Sequence, residues 1–406
     1  MRDGPRVLYV VHGAPHVPAP GGPTRTYHLL RQLARAAEVT ALCVLEPSVR
    51  GETAAIDSFC RRVDTVPAPA VRSCHGWPER LLCASRPTVL WRFDPKPVRE
   101  AMHRLLCRGC FDAVVVEHTE LAYALADIVG RWGGVSVADL HNVLSVHEER
   151  SENVAGSDAV GTWMRVRRVR AIERAILRAY STVSCVSETD REHLQRLEPG
   201  ANVRVVRNGV DIRYFGAVSP DRVSRRVVFT GALWYRPNVD GLSYLTSQIW
   251  PLIRDGCPEA ALTIVGARPG REVRTMAGLP GVTVHGSVPD VRPYLQQSAV
   301  AAVPLRMGTG TRLKILEALA AHLPVVSTTV GAEGLDLVAC RDFLRADTTN
   351  EFAGAVVRLL NDPDDGRALA AAGNRLVQKY HAWHVIGQMF RRVVVGEGVA
   401  TDKESA

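Results

Sequence analysis

The chain has 406 residues, 46% of them hydrophobic and 23% charged, and carries a formal net charge of +8. That length exceeds one ordinary domain, so two are expected, and the composition is that of a globular protein rather than a fibrous or disordered one. The basic balance is modest and no block of like charge forms a nucleic-acid arm, so it suits an anionic ligand or a membrane surface. No apolar stretch reaches the ~20 residues of a bilayer span. The first apolar run, Val7 to Val11, has the length of a strand rather than of a signal peptide. Nine cysteines are scattered, and only Cys107 and Cys110 form a C-x-x-C, with no second pair to complete a zinc site. They read as reduced thiols of a cytoplasmic protein, soluble or at most peripheral at the inner membrane face.

RVLYVVHG (Arg6 to Gly13) reads as a buried strand, followed by a loop with Pro15, Pro18, Pro20, Gly21, Gly22 and Pro23. A helix is expected from Arg25 to Arg35 and a strand from Val39 to Leu45, an opening βαβ with its Gly-Gly loop at the strand's C-terminal end. The loop is not G-x-G-x-x-G, which argues against an ordinary dinucleotide fold. Arg50 to Cys110 is mixed, with short helices, a weak strand near Val63 to Val66 and a Pro/Arg-rich connection. FDAVVVEH (Phe111 to His118) is a clear strand, with a helix from Leu121 to Val129 after it. GVSVADLHN (Gly134 to Asn142) is another, ending in Asp139, His141 and Asn142. These three either bind an acceptor or cap a turn.

Gly161 to Tyr180 is helical and basic, with Arg165, Arg167, Arg168, Arg170, Arg174 and Arg178 against Glu173. Trp163, Val166, Val169, Ile172 and Ile176 recur at helical spacing, so the helix either docks with a solvated basic face or lies on a membrane. Strands follow at Ser181 to Glu188 and Asn202 to Asp211, and a domain boundary is expected near Gly216 to Ser219. In the second half, strands at Arg226 to Leu233, Ala261 to Ala267, Val282 to Val288, Ala299 to Leu305 and Pro324 to Thr328 alternate with helices. That alternation indicates a second parallel, doubly wound sheet. One of these helices runs from Val239 to about Arg254. The last are Asn350 to Asn361, Asp364 to Tyr380 and His384 to Val395, before a polar tail from Gly396.

Pro304 to Gly334 carries the sharpest signal. A strand end, a loop with Gly308, Thr309 and Gly310, a helix from about Thr311 to His322, a strand, and a second Gly loop, Gly331 to Gly334, follow one another. Anions are normally favoured in the first helical turn, yet Arg312 and Lys314 stand there and Glu317 comes a turn later. The order makes sense if an external anion sits on the loop's N–H groups and is neutralised by Arg312 and Lys314. Glu317 could then accept hydrogen bonds from sugar hydroxyls. The plainer alternative, a Gly turn and an amphipathic helix with solvated charges, fits the same residues.

Together these residues resemble glycosyltransferase family 4, retaining enzymes of the α/β GT-B fold. The carrying motifs are VSE at Val186 to Glu188, NGVD at Asn208 to Asp211, FTGALWYRPNVDGL at Phe229 to Leu242, and PLRMGTGTRLKILEALAAHLPVVSTTVGAEGL at Pro304 to Leu335. The Gly21-Gly22 loop and the Trp383 helix also fit. The resemblance implies two Rossmann-like domains facing a cleft. An acceptor-side domain spans 1–215 and a donor domain 216–380; residues 381–406 form a terminal helix and tail, the helix crossing back to the first domain. It implies that Glu317 holds the donor ribose, as the second acid of an E-x7-E motif whose first acid is here Thr309. Family members often carry an Arg after the glycine that corresponds to Gly231 and a Lys six residues later; this chain has Ala232 and Asn238. Arg312 and Lys314 are then expected to supply the missing charge, with backbone N–H groups of Gly308 to Gly310 and Thr311 beside them. His118, with Glu117 as its neighbour, matches a histidine that faces the donor sugar. Val288 matches a loop that packs the nucleotide base, and Gly331, Ala332, Glu333 and Gly334 a loop approaching the diphosphate.

The implied reaction moves a sugar from a nucleoside-diphosphate donor to an acceptor hydroxyl with retention, needing no metal and no cofactor beyond the donor. Two other readings stay open at this stage: a nucleotide-sugar epimerase or hydrolase, and a non-catalytic nucleotide-sugar binder. Candidate acceptors are a glycan, a lipid-linked saccharide or a small metabolite.

Overall fold

The structure, a computed structural model, describes residues 4–17, 21–45, 53–68, 95–153 and 159–396. The chain divides into two compact units, Met1–Arg207 with Ile386–Ala406, and Asn208–Val385. Most of the expected Pro/Arg-rich connection, part of the loop before Gly21, Cys74, Cys83 and the polar tail lie outside the described residues.

In the first unit β1 (Arg6–His12), β2 (Glu38–Leu45), β3 (Arg62–Pro67), β4 (Ala113–Glu117), β5 (Val135–Asp139), β6 (Thr182–Cys185) and β7 (Val203–Val205) form a parallel sheet. Its order is β3-β2-β1-β4-β5-β6-β7. The strands are near-continuous apolar runs because helices cover both faces of a parallel sheet. Leu8, Val10, Leu42, Val114 and Val116 pack with Leu121, Leu125 and Ile176 in one core. The second unit repeats the plan with β8 (Arg226–Thr230), β9 (Ala261–Val265), β10 (Val282–His285), β11 (Val300–Val303), β12 (Val325–Ser327) and β13 (Leu344–Arg345), in the order β10-β9-β8-β11-β12-β13. Each sheet reverses direction of winding once, between β1 and β4 and between β8 and β11. At such switch points the loops after two strands part and leave room for a ligand.

Several expectations are corrected. The division of the chain falls at Arg207–Asn208 rather than after Phe215. Val210 bridges to Ala382, and Phe215 and Val218 are buried in the second unit's core, so this stretch folds with the second sheet. β13 was not anticipated, because two residues carry no readable period. The helix after β11 begins at Leu313, not Thr311. The segment from Arg236 is helical through Gly256 but passes through a π-helical stretch, Leu245–Ile249, just before Pro251, which has no N–H to give. The expected loop at Gly331 opens as a one-turn helix, Thr329–Ala332, capped where Thr328 Oγ1 accepts from Gly331 N at 2.9 Å.

The basic helix, Ala159–Ala179, is docked: Val166, Val169, Ile172 and Ile176 are buried. Part of its charge is paired, Arg170 with Glu149 at 2.5 Å and Arg178 with Glu198 at 2.9 Å. Trp163, expected on the apolar stripe, is instead 59% exposed. No helix among the described residues is long and apolar enough to cross a membrane. The last helix, Trp383–Val395, starts in the second unit and from Ile386 onward belongs to the first, with Phe390 edge-on to Tyr9 at 6.3 Å between ring centroids.

Candidate functional site

In the second unit the chain leaves β11 and turns at Gly308 (φ 114°) and Gly310 (φ 72°), conformations that cost glycine little and other residues much. The turn folds back onto Arg312, which precedes the helix Leu313–Ala320 in extended conformation. Arg312 Nη1 donates to the carbonyls of Thr309, at 2.8 Å, and Gly310, and Nη2 to that of Val330 at 3.4 Å. The guanidinium therefore ties the Gly loop to the short helix after β12. Thr309 is buried, and Asn208 Nδ2 donates to Thr311 Oγ1 at 2.5 Å.

Lys314 sits in the first turn. Its Nζ donates to Asn238 Oδ1 at 2.8 Å and lies 3.9 Å over the Phe229 ring. Asn238 Nδ2 donates in turn to the carbonyl of Ala232 at 2.9 Å. Gly231 closes the group: a Cβ there would stand 2.8 Å from Lys314 Nζ. The ammonium thus reaches the turn after β8 and stands beside Asn238, where the family resemblance had placed a lysine. Burial, helped by Arg312, pushes the Lys314 amine down to about 7. Burial also pushes the Glu317 carboxyl up to about 7, against the pull of Lys314.

Val288 is half-buried, packed on the core below this loop system. A cavity of about 530 Å³ adjoins the strand ends nearby, lined by Arg268, Gly286 and Ser287 among others. Gly331 and Ala332 are buried, and a Cβ on Gly331 would meet Ser327 Oγ at 2.3 Å, so this glycine permits close helix–strand packing. Glu333 and Gly334 come next, half-buried.

In the first unit, β4 ends at Glu117 and β5 at Asp139, which are register partners, so parallel pairing sets two buried carboxylates side by side. Arg25, from the helix Gly22–Leu33, forks onto Asp139 with Nε–Oδ2 at 3.0 Å and Nη2–Oδ1 at 2.8 Å. Its Nη1 donates to the carbonyl of Arg207 at 2.9 Å, and Ser184 Oγ donates to Asp139 Oδ1 at 2.6 Å. Tyr9 and Thr26 each donate a hydroxyl hydrogen bond to Glu117 at 2.5 Å. Burial opposes the charge on Asp139, but Arg25 and His141 outweigh it and hold the carboxyl well below its usual range.

His141 Nε2 stands 3.3 Å from Asp139 Oδ2 and 3.8 Å from Glu117 Oε2. Burial alone would make this imidazole neutral; the carboxylates of Asp139 and Glu117 beside it override that and raise the group to about 9. His118 lies against it, ring centroids 4.1 Å apart. Burial, with His141 and His12 adding to it, holds His118 well below its ordinary value. The pair is therefore one imidazolium and one neutral imidazole at neutral pH. His118 also has a left-handed backbone, φ 65°, and heads the helix Thr119–Trp132, its N–H donating to the Asp139 carbonyl at 3.0 Å. Strain of this kind clusters at functional sites. Gly22 lies under both rings: a Cβ there would be 3.4 Å from His141 Nδ1 and 3.6 Å from His118 Cε1. Gly21 precedes it at φ 67°, and Asn142 is exposed beside His141.

Glu117, His118 and His141 bring three ligand-type atoms within 4.8 Å of one another. Both Glu117 oxygens already accept hydrogen bonds, from Tyr9 and from Thr26. The fold thus brings His118, Asp139, His141 and Gly22 together in one unit, and Gly308 to Thr311, Arg312, Lys314 and Glu317 in the other. Arg25, Tyr9, Thr26 and Ser184 were missed from sequence. Arg25 had a readable signal, a cation in the first helical turn after a Gly-Gly loop, where anions are normally favoured.

Residues 21–209 match the glycosyl transferase 4-like domain, and residues 224–362 match the glycosyl transferases group 1 family. No curated protein matches the chain. Among solved structures, a sucrose-phosphate synthase from Thermosynechococcus elongatus superposes with a TM-score of 0.72 at 19% identity, over 96% of this chain and 99% of its own. Anabaena HepE in complex with UDP-glucose gives 0.64 at 14% identity, over 95% and 98%. WaaG, a glycosyltransferase involved in lipopolysaccharide biosynthesis, gives 0.64 at 14% identity, over 96% and 100%. The chain is a glycosyltransferase with the GT-B fold.

Proposed function

We propose that this glycosyltransferase is a retaining family 4 enzyme. It moves a hexosyl group from a nucleoside-diphosphate sugar to an acceptor hydroxyl of a glycan, a lipid-linked saccharide or a small metabolite. The observation that carries the reading is Lys314 standing beside Asn238 and Gly231. It supplies, from the first turn of the helix Leu313–Ala320, the cation that the turn after β8 lacks. The second unit then holds the donor. Arg312, Lys314 and the N–H groups around Gly308 to Thr311 contact the diphosphate, Glu317 the ribose, and Val288 with the neighbouring cavity the base. HepE, of the same fold, was crystallised with UDP-glucose, which makes UDP-sugars the first donors to try.

As the anomeric carbon–oxygen bond breaks, the electron pair leaves with the diphosphate. Fixed cations and N–H donors stabilise that charge without reorganising. A diphosphate would also hold the proton on Lys314, whose amine is poised near neutrality. The acceptor hydroxyl attacks from the face the phosphate is leaving, and the departing phosphate oxygen takes its proton. This route needs no protein nucleophile and no D-x-D metal pair. In the first unit neutral His118 contacts the transferred sugar, while Asp139, His141, Asn142, Gly21 and Gly22 shape the acceptor side. The proposal includes a cytoplasmic location at the inner membrane face. Val160, Trp163 and Met164 are exposed on the Arg-bearing helix, with Arg167 over the Trp163 ring at 5.3 Å, an arrangement suited to an anionic surface.

The test is Lys314→Ala assayed with UDP-sugars and a panel of acceptors. Loss of turnover with a folded protein supports the assignment; near-normal turnover sinks it. A Glu317→Ala variant with unchanged donor affinity would remove the ribose role.

A further inference from the structure

We propose that a cavity at the far end of the first sheet binds a phosphate-bearing ligand that also carries a hydroxyl group. The reaction residues stand where β4 and β5 end. This cavity, about 340 Å³, opens where β1, β2 and β3 begin, beneath the helix Lys96–Arg108. Its volume suits a small molecule or a headgroup.

Five guanidiniums line it, from Arg6, Arg61, Arg62, Arg104 and Arg108, against the carboxylates of Glu38 and Asp64. Two are already paired: Arg61 with Glu38, and Arg62 with Asp64 at 2.8 Å. The side chains of Arg6, Arg104 and Arg108 make no hydrogen bond or ion pair with any described residue. Arg104 and Arg108 are four apart on one helix, so their heads are neighbours and repel unless an anion lies between them. Arginine forks match phosphate oxygens in number and geometry, and three around one cavity suit a dianion better than a single carboxylate.

The second observation is on the cavity floor. Asp64 Oδ1 takes both bonds from Arg62, at 3.0 and 2.8 Å, while Oδ2 is buried with no hydrogen-bond partner. A carboxylate oxygen so placed is costly unless something donates to it. The arginines cannot be that ligand's only partners, because an all-acceptor anion would face Asp64 with like charge. A hydroxyl next to the phosphate resolves both needs: the phosphate lies on Arg6, Arg104 and Arg108, and the hydroxyl donates to Asp64 Oδ2. Glycerol phosphates, sugar phosphates and polyol phospholipid headgroups share this chemistry.

The experiment is calorimetric titration of the full chain with glycerol 3-phosphate and with inorganic phosphate. The wild type binds glycerol 3-phosphate more tightly. The exposed double variant R104S/R108S weakens both by about tenfold or more, as loss of charge-assisted hydrogen bonds implies. Arg6→Ser, on a different element, reads the same loss should the double variant have a lowered melting temperature. Asp64→Ala erases the preference for glycerol 3-phosphate over phosphate. Vesicles of phosphatidylglycerol in phosphatidylcholine separate the two sources. Co-sedimentation lost in R104S/R108S identifies a lipid headgroup; soluble binding without co-sedimentation identifies a free metabolite. Equal binding by wild type and both arginine variants overturns the site, as does wild-type binding to neither probe nor vesicle. Equal affinity for the two soluble probes overturns the role of Asp64.

Discussion

Behind β4 and β5 the charges of the first unit are closed on one another: Arg25 forks onto Asp139, and His141 stands between Asp139 and Glu117. Behind β8 and β11, Arg312 donates to three backbone carbonyls and Lys314 to the amide oxygen of Asn238. No carboxylate lies within ion-pair distance of Lys314 among the described residues. Both places lie at the C-terminal ends of parallel strands beside a switch point, at β4 and β5 in one sheet and β8 and β11 in the other. A buried cation that already has its counter-charge serves the fold and orients its neighbours. A cation such as Lys314, whose hydrogen-bond partner is a neutral amide oxygen, can exchange it for a phosphate at little cost. The first site is closed by ion pairs; on the proposed reading the second keeps its charge for the donor diphosphate.

The contrast breaks most visibly at Asp139. Asp139→Ala leaves Arg25 buried without its partner, which should destabilise the protein by ~3–5 kcal/mol in denaturant unfolding. A loss below ~1 kcal/mol, the scale of an exposed pair, would mean the network is not structural. Lys314→Ala should show the opposite split. Its kcat/KM falls by ~10²–10³, the cost of an oxyanion donor, while the melting temperature stays put or rises because a desolvated amine has gone. If Lys314→Ala unfolds the protein as Asp139→Ala does, the two sites are alike and the contrast fails.

The pH dependence sharpens it further. His141 is raised in the folded state from 6.5 to about 9, so the stability it contributes is fully present below 6.5 and lost as pH rises through about 9. Denaturant midpoints measured from pH 6 to 10 should fall over that window, and His141→Gln should flatten the fall. In the second site, Lys314 is lowered to about 7, so UDP affinity should weaken as pH rises through 7 and its proton is shed. Lys314→Met should bind UDP more weakly and without that dependence. The smallest effect is expected at Trp163→Ser. Stability should change by no more than ~0.5 kcal/mol, as for an exposed side chain, and only attachment to anionic vesicles should drop.

Much of the fold was legible because parallel strands buried on both faces are written as apolar runs such as Val7 to Val11 and Val114 to Val116. The Gly308 to Glu317 loop was legible because its charge order is wrong for a bare helix. What escaped depends on distance along the chain. Arg25 and Asp139 are 114 positions apart, and Lys314 and Asn238 76, so neither pair leaves a local pattern. Trp163 kept the period of a buried stripe yet lies on the first turns of its helix, where it is exposed. The boundary was misjudged by the same rule: Val210 pairs with Ala382, a partner that no nearby residue announces.

The last helix has a consequence for how the protein is made. From Ile386 it belongs to the unit that begins at Met1; Gly387 lies against Gln32, and Phe390 against Tyr9. Tyr9 is the residue whose hydroxyl holds Glu117. A domain whose residues are all translated early can fold while the ribosome is still working. Here part of the first unit's packing, Gly387 on Gln32 and Phe390 on Tyr9, is encoded after the whole of the second unit, so it can be added only once that unit has been translated. A nascent chain lacking this segment leaves Tyr9, the residue that donates to Glu117, without its aromatic neighbour.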